Sequence, residues 1–154
     1  MSARRASRGA GRVLDWGMSH PQLLHTVLDT TRPRRAAEFY RERLGLVYRP
    51  GDATPADDDA DDDADWLVLT ADDGQPRLAF QQVERLTPTT WPAPVVPMQL
   101  HLDFTVNSTE ELDRHLSRAL DLGGRLVLDR RADTDEPLVV VADPDGHPFC
   151  LFVA

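Results

Sequence analysis

The sequence predicts an α+β fold built from two βαβββ modules, and three observations carry that prediction. A histidine inside an alternating apolar segment occurs twice, in "QLLHTVLDT" (22–30) and in "MQLHLDFTV" (98–106), 76 positions apart. Each copy runs into a stretch with helical spacing that ends at glycine. Each then continues into three extended segments, with an acidic glycine turn between the last two.

In the first copy Leu24, Thr26 and Leu28 alternate with His25, Val27 and Asp29 at the period of a strand. Pro33 stands where a first helical residue fits, and Ala36, Tyr40 and Leu44 follow at helical spacing before Gly45. In the second copy Leu100, Leu102, Phe104 and Val106 alternate with His101, Asp103 and Thr105. Ser108 with Glu111 forms a capping-box signature, and Leu112, Leu116 and Leu120 mark the helix before Gly123 and Gly124. Extended segments are expected at 46–50, 66–70 and 77–83, and again at 125–130, 137–142 and 148–153. The turn "ADDG" (71–74) answers "DPDG" (143–146). The modules span about 21–85 and 98–154, joined by the Pro-rich linker "LTPTTWPAPVVP" (86–97).

At 154 residues and 41% apolar content, the chain can bury one core. No apolar run approaches the roughly 18 residues of a membrane span, so a soluble protein without membrane contact is expected. The single cysteine, Cys150, excludes an internal disulfide and fits a reducing cytoplasm. All 17 basic residues are arginine, against 26 carboxylates, for a net charge of −9. Residues 1–20 hold four of those arginines and one aspartate, so the remainder has 13 against 25, or −12. Such a surface repels phosphate backbones, and no nucleic-acid partner is expected. The segment 1–20 has the composition of a disordered leader, and "MSHPQLLHTVL" would also suit a start at Met18 rather than Met1. The run "DDDADDDAD" (57–65) lacks the glycine and closing glutamate of a calcium loop and is expected to be a solvated loop.

The paired βαβββ plan, with "HTVLDTTRPRRAAEFYRERLGL" early and "DPDGHPFCLFVA" late, resembles the vicinal oxygen chelate superfamily. That group includes glyoxalase I, extradiol dioxygenases and bleomycin-resistance proteins, and the likeness is greatest to its small bacterial glyoxalase-like members. It covers residues 21–154, one glyoxalase-like domain. The resemblance implies that each module curls into a half-barrel around a concave cavity. It also implies that metal-bearing relatives draw ligands from the first and last strand of each module. His25 and His101 match the first-strand ligand positions. Ala79 and Cys150 stand where the last strands would offer carboxylates.

With both carboxylates missing from those positions, oxygen-loving metals lose their anionic ligands, and neither a catalytic metal nor another cofactor is expected. Zinc is the alternative, since a Cys150 thiolate that reached both histidines would complete such a site. Strand alternation puts His101, Asp103 and Thr105 on one face, with His25 and Gln81 on the comparable face of the first module. These residues, with Trp91 and Cys150, form the expected ligand-binding set, and His101, Asp103 and His25 the candidate acid–base groups. Trp91 either stacks over the cavity or covers the core. The resulting expectation is a homodimeric protein that binds a small organic molecule without a metal. The alternative is a lyase or isomerase of the same superfamily, with true glyoxalase I activity not expected.

Overall fold

The computed structural model describes residues 22–53 and 63–154. The expected leader and most of the aspartate run lie outside those residues. The first module comprises β1 (Thr26–Thr30), α1 (Pro33–Leu44), β2 (Val47–Tyr48), β3 (Trp66–Thr70) and β4 (Pro76–Gln82). The second comprises β5 (Leu102–Val106), α2 (Thr109–Asp121), β6 (Arg125–Arg130), β7 (Leu138–Ala142) and β8 (Pro148–Val153). Each builds one four-stranded sheet, in the orders β1-β4-β3-β2 and β5-β8-β7-β6. The first and last strands of each module pair in parallel, and the remaining pairs are antiparallel. This is the predicted pair of βαβββ modules.

Local chemistry sets the helix ends. Pro33 opens α1, where its missing N–H costs nothing, and Gly45 closes it at φ 65°, a left-handed conformation that glycine adopts without penalty. Ser108 caps α2 by accepting the N–H of Glu111 at 3.2 Å. The return arm of the expected capping box differs by one residue, because the Glu111 carboxylate accepts the N–H of Asn107 at 3.0 Å.

Several strand boundaries differ from the sequence-based expectation, most clearly those of β1, β5 and β2. Leu24 and Leu100 precede β1 and β5 and are 65% and 48% exposed, so the apolar alternation begins outside the sheet. The segment 46–50 contributes only two strand residues. Its pairing ends where the Asp52 side chain, in place of a neighbouring backbone, accepts the Val68 N–H at 2.8 Å.

Both helices pack on one face of their sheets and share one core. Leu28, Leu67, Leu69, Leu78 and Phe80 meet Phe39 and Tyr40 there, together with Leu112, Leu116, Val139, Val141, Phe149 and Leu151 of the second module. The contact Phe39–Phe149 crosses the module boundary, with ring centroids 6.1 Å apart. Arg43 is buried among these rings. Its guanidinium carbon lies 4.1 Å from the Phe149 centroid, and Nε and Nη1 have no hydrogen-bond partner. Burial lowers its pKa to about 10.

The turn between β7 and β8 ties the modules together by polar contacts. Tyr40 donates its hydroxyl to Asp143 at 3.0 Å, and Thr30 donates to Asp145 at 2.7 Å. Burial, then Asp143, holds the Tyr40 hydroxyl well above its usual range. Gly146 has φ 98°, and a Cβ added there would come within 2.7 Å of Pro88, so the turn and the linker are in close contact.

Candidate functional site

The faces turned away from the helices hold the sequence-predicted residues, and the two modules present different chemistry there. In the second module Asp103 pairs with Cys150 across the parallel β5–β8 ladder. His101 lies just before β5, two residues from Asp103, and its Nε2 is 3.5 Å from Asp103 Oδ1. One donor atom from each of His101, Asp103 and Cys150 lies within 4.8 Å of the others. The side chains of His101 and Asp103 are 43% and 57% exposed, whereas Cys150 is buried. The pair therefore keeps much of its hydration, and no burial penalty forces it into use.

Cys150 sits on an apolar patch with Leu138 and Val140, flanked by Trp91, Val127, Leu128 and Phe152. Trp91 thus covers this part of the core. Burial, followed by the hydrogen bond and charge of Asp103, pushes the Cys150 thiol up to about 12, which keeps it protonated at neutral pH. Thr105 lines, together with Asp103, a cleft that also takes in Arg43, Phe104 and His115.

In the first module the position of Asp103 is held by Val27, which pairs with a fully buried Ala79 across β1–β4. His25 lies against Trp66, ring centroids 6.1 Å apart, with its Nδ1 buried and unpartnered. His25 is not part of the group formed by His101, Asp103 and Cys150. The two histidines thus occupy matching places in the repeat without converging on one point of this chain.

The first module's face instead borders a cavity of about 490 Å³. Val27, Asp29 and Gln81 form one wall, residues 86–89 and 96–100 of the linker and the approach to β5 a second, and Asp145 to Pro148 a third. Of the residues predicted to bind ligand, Gln81 alone lines it. His147 is half-buried and shares a 2.9 Å contact with Asp143 through Nδ1. Burial pulls its pKa down, but the hydrogen bond and charge of Asp143, with Asp145 and Asp29, outweigh that and raise it above 6.5. Strand alternation could have found Asp29, which shares a face with Val27. Nothing local in the sequence places the linker against it.

This architecture agrees with the comparisons to known proteins. Residues 25–152 match the family model of the glyoxalase-like domain, and the chain belongs to that family. Among similar solved structures is a glyoxalase/bleomycin resistance protein/dioxygenase family enzyme from Burkholderia phytofirmans. It is 14% identical, with a TM-score of 0.59, and the match covers 84% of this chain and 96% of that one. The fosfomycin resistance protein FosX from Mesorhizobium loti is also 14% identical, with a TM-score of 0.58 and coverage of 89% and 94%. A mutant of FosX from Listeria monocytogenes, complexed with Mn(II) and 1S,2S-dihydroxypropylphosphonic acid, is 19% identical, with a TM-score of 0.60 and coverage of 88% and 94%. At these identities the likeness is one of fold. No curated protein matches the chain. Among the described residues no helix is long and apolar enough to cross a membrane.

Proposed function

We propose that this glyoxalase-like chain binds a small organic molecule in the cavity between the first sheet, the linker and the β7–β8 turn. The observation that carries this reading is the cavity itself. Its volume of about 490 Å³ suits a small ligand, and its walls combine an apolar side, from Leu86, Pro88, Val96 and Met98, with the polar groups of Asp29, Gln81 and His147. A ligand with an apolar body and one hydrogen-bonding end matches that lining. Thermal-shift screening of a small-molecule library should find compounds that raise the melting temperature, and Gln81→Leu and Asp29→Asn should each reduce the gain. Hits unaffected by both substitutions would remove the cavity from the assignment.

A second reading, favoured by the 3.5 Å approach of His101 to Asp103, is acid–base chemistry of a lyase or isomerase. The imidazole would exchange the proton and the carboxylate would orient it. Incubating each hit with the protein and measuring its conversion separates binding from turnover. Loss of turnover in both His101→Ala and Asp103→Asn, with binding retained, is the outcome this reading requires.

The reading includes a homodimer. β1 and β5 are edge strands, and apolar Leu24, Val27 and Leu100 beside them are exposed, a surface a second copy would cover. Sedimentation at tens of micromolar should show a dimer, and a monomer would leave each cavity to its own chain.

A further inference from the structure

We propose that the cleft beside β5, between the end of α1 and the middle of α2, binds the carboxylate of a small organic acid, with Arg43 as its counter-ion. The observation behind this is a buried charge without a partner. Arg43 is 8% exposed, and its Nε and Nη1 have no hydrogen-bond acceptor. Among the described residues no carboxylate pairs with it. The rings of Phe149, Phe39 and Phe104, with centroids 4.1, 5.5 and 5.9 Å from the guanidinium carbon, attract the charge but offer no lone pair to its N–H groups. With its pKa lowered only to about 10, the side chain stays a cation at neutral pH. A buried cation is costly unless an anion meets it.

The cleft is the route by which an anion can arrive. It has a volume of about 450 Å³, Arg43 is part of its lining, and it shares no residue with the cavity under the linker. Two further donors line it. The Thr105 hydroxyl on β5 and the half-buried His115 ring on α2 have no hydrogen-bond partner among the described residues. Leu44, Phe104, Val106 and Leu151 complete the walls with apolar surface. An acid group on an apolar body fits this lining. The carboxylate takes the planar, two-pronged N–H edge of the guanidinium, and the body covers the apolar walls.

The one carboxylate in the lining, Asp103, sets the charge the ligand can carry. By strand alternation it lies on the sheet face opposite Phe104, where it is exposed and approaches His101 rather than Arg43. Its negative charge opposes a doubly charged phosphate more than a singly charged carboxylate.

Calorimetric titration of the full-length protein with benzoate at constant ionic strength should give one saturable site per chain, with benzamide, the uncharged isostere, roughly tenfold weaker or more. Arg43→Met should abolish benzoate binding, and Arg43→Lys, which keeps the charge but loses the fork, should weaken it by about the same tenfold. Thr105→Val and His115→Ala should each weaken it severalfold, and removing the like charge in Asp103→Asn should strengthen it about two- to threefold. Thermal unfolding reads the same site independently. Arg43→Met is the more stable protein without benzoate, and its lead should shrink as benzoate saturates the unmodified chain. Binding that survives Arg43→Met, or benzamide equal to benzoate, would overturn the assignment. Chloride or phosphate bound as tightly as benzoate would mean an adventitious ion only and would overturn the organic acid. Gln81→Leu should leave benzoate binding unchanged, and its loss there would move the acid to the cavity. Failure of the cleft leaves the cavity reading standing, since that reading is tested by substitutions at the other site.

Discussion

In the first module Val27 faces Ala79 across β1 and β4; in the second, Asp103 faces Cys150 across β5 and β8. The helices differ in the opposite sense. Arg43 is a buried cation on α1, and the position 76 residues on is the fully buried Ala119 of α2. The turns have one backbone and two chemistries. Ala71 donates its N–H to Gln75 in one and Asp143 donates to His147 in the other, at 3.0 and 2.9 Å. Only the second has a carboxylate for Tyr40 to reach. A duplicated backbone thus tolerates divergence wherever side chains do not set the chain path. Here that divergence gathered polar groups on the second module's open face and in its last turn.

The largest effect expected from breaking this contrast is at Asp143. Its buried carboxylate accepts hydrogen bonds from Tyr40 and from the backbone N–H groups of Asp145 and His147, and meets the His147 ring. Asp143→Ala should cost about 3–5 kcal/mol in urea denaturation, as expected when one member of a buried polar set is removed. The converse change, Ala71→Asp on a partly exposed turn, should stay within about 0.5 kcal/mol. Equal effects at the two positions would mean that the turns are energetically equivalent after all.

Arg43 sharpens the helix comparison. Two of its guanidinium nitrogens lack partners, and the ring of Phe149 offsets part of that cost. Arg43→Met keeps the length of the side chain and removes the charge, and should raise stability by about 1 kcal/mol. A loss of similar size would show that the aromatic contacts outweigh desolvation.

The smallest effect is a pH dependence. Because His147 has its pKa raised above 6.5 in the folded state, its contribution to stability is complete below 6.5. It is lost as pH rises through the raised value. His147→Gln, which copies Gln75 of the first module, should flatten that part of the stability–pH curve. An unchanged slope would place the dependence elsewhere.

Much of the architecture was legible in the sequence because strands and helices are local patterns. Alternation around His25 and His101 located β1 and β5 to within two residues, and the glycines at 45 and 123 marked the helix ends. The open-face chemistry was only half legible. Alternation put His101 and Asp103 on one side, but whether Cys150 meets them depends on register between strands far apart in sequence. The cavity was the least legible part. Its walls come from a linker without periodicity and from a turn of the opposite module, so no single stretch of sequence encodes it.

The contact between Phe39 and Phe149 bears on how the chain is made. Synthesis runs from the first module to the second, so α1 leaves the ribosome well before β8 exists. Phe39, Tyr40 and Arg43 are then left without Phe149 and Asp143, the groups that cover or bind them in the finished fold. The first module can form its own sheet during that interval, but one flank of its helix stays unsatisfied. A nascent chain stalled before residue 148 would present that flank to chaperones, and β8, the last element of the fold, completes both modules at once.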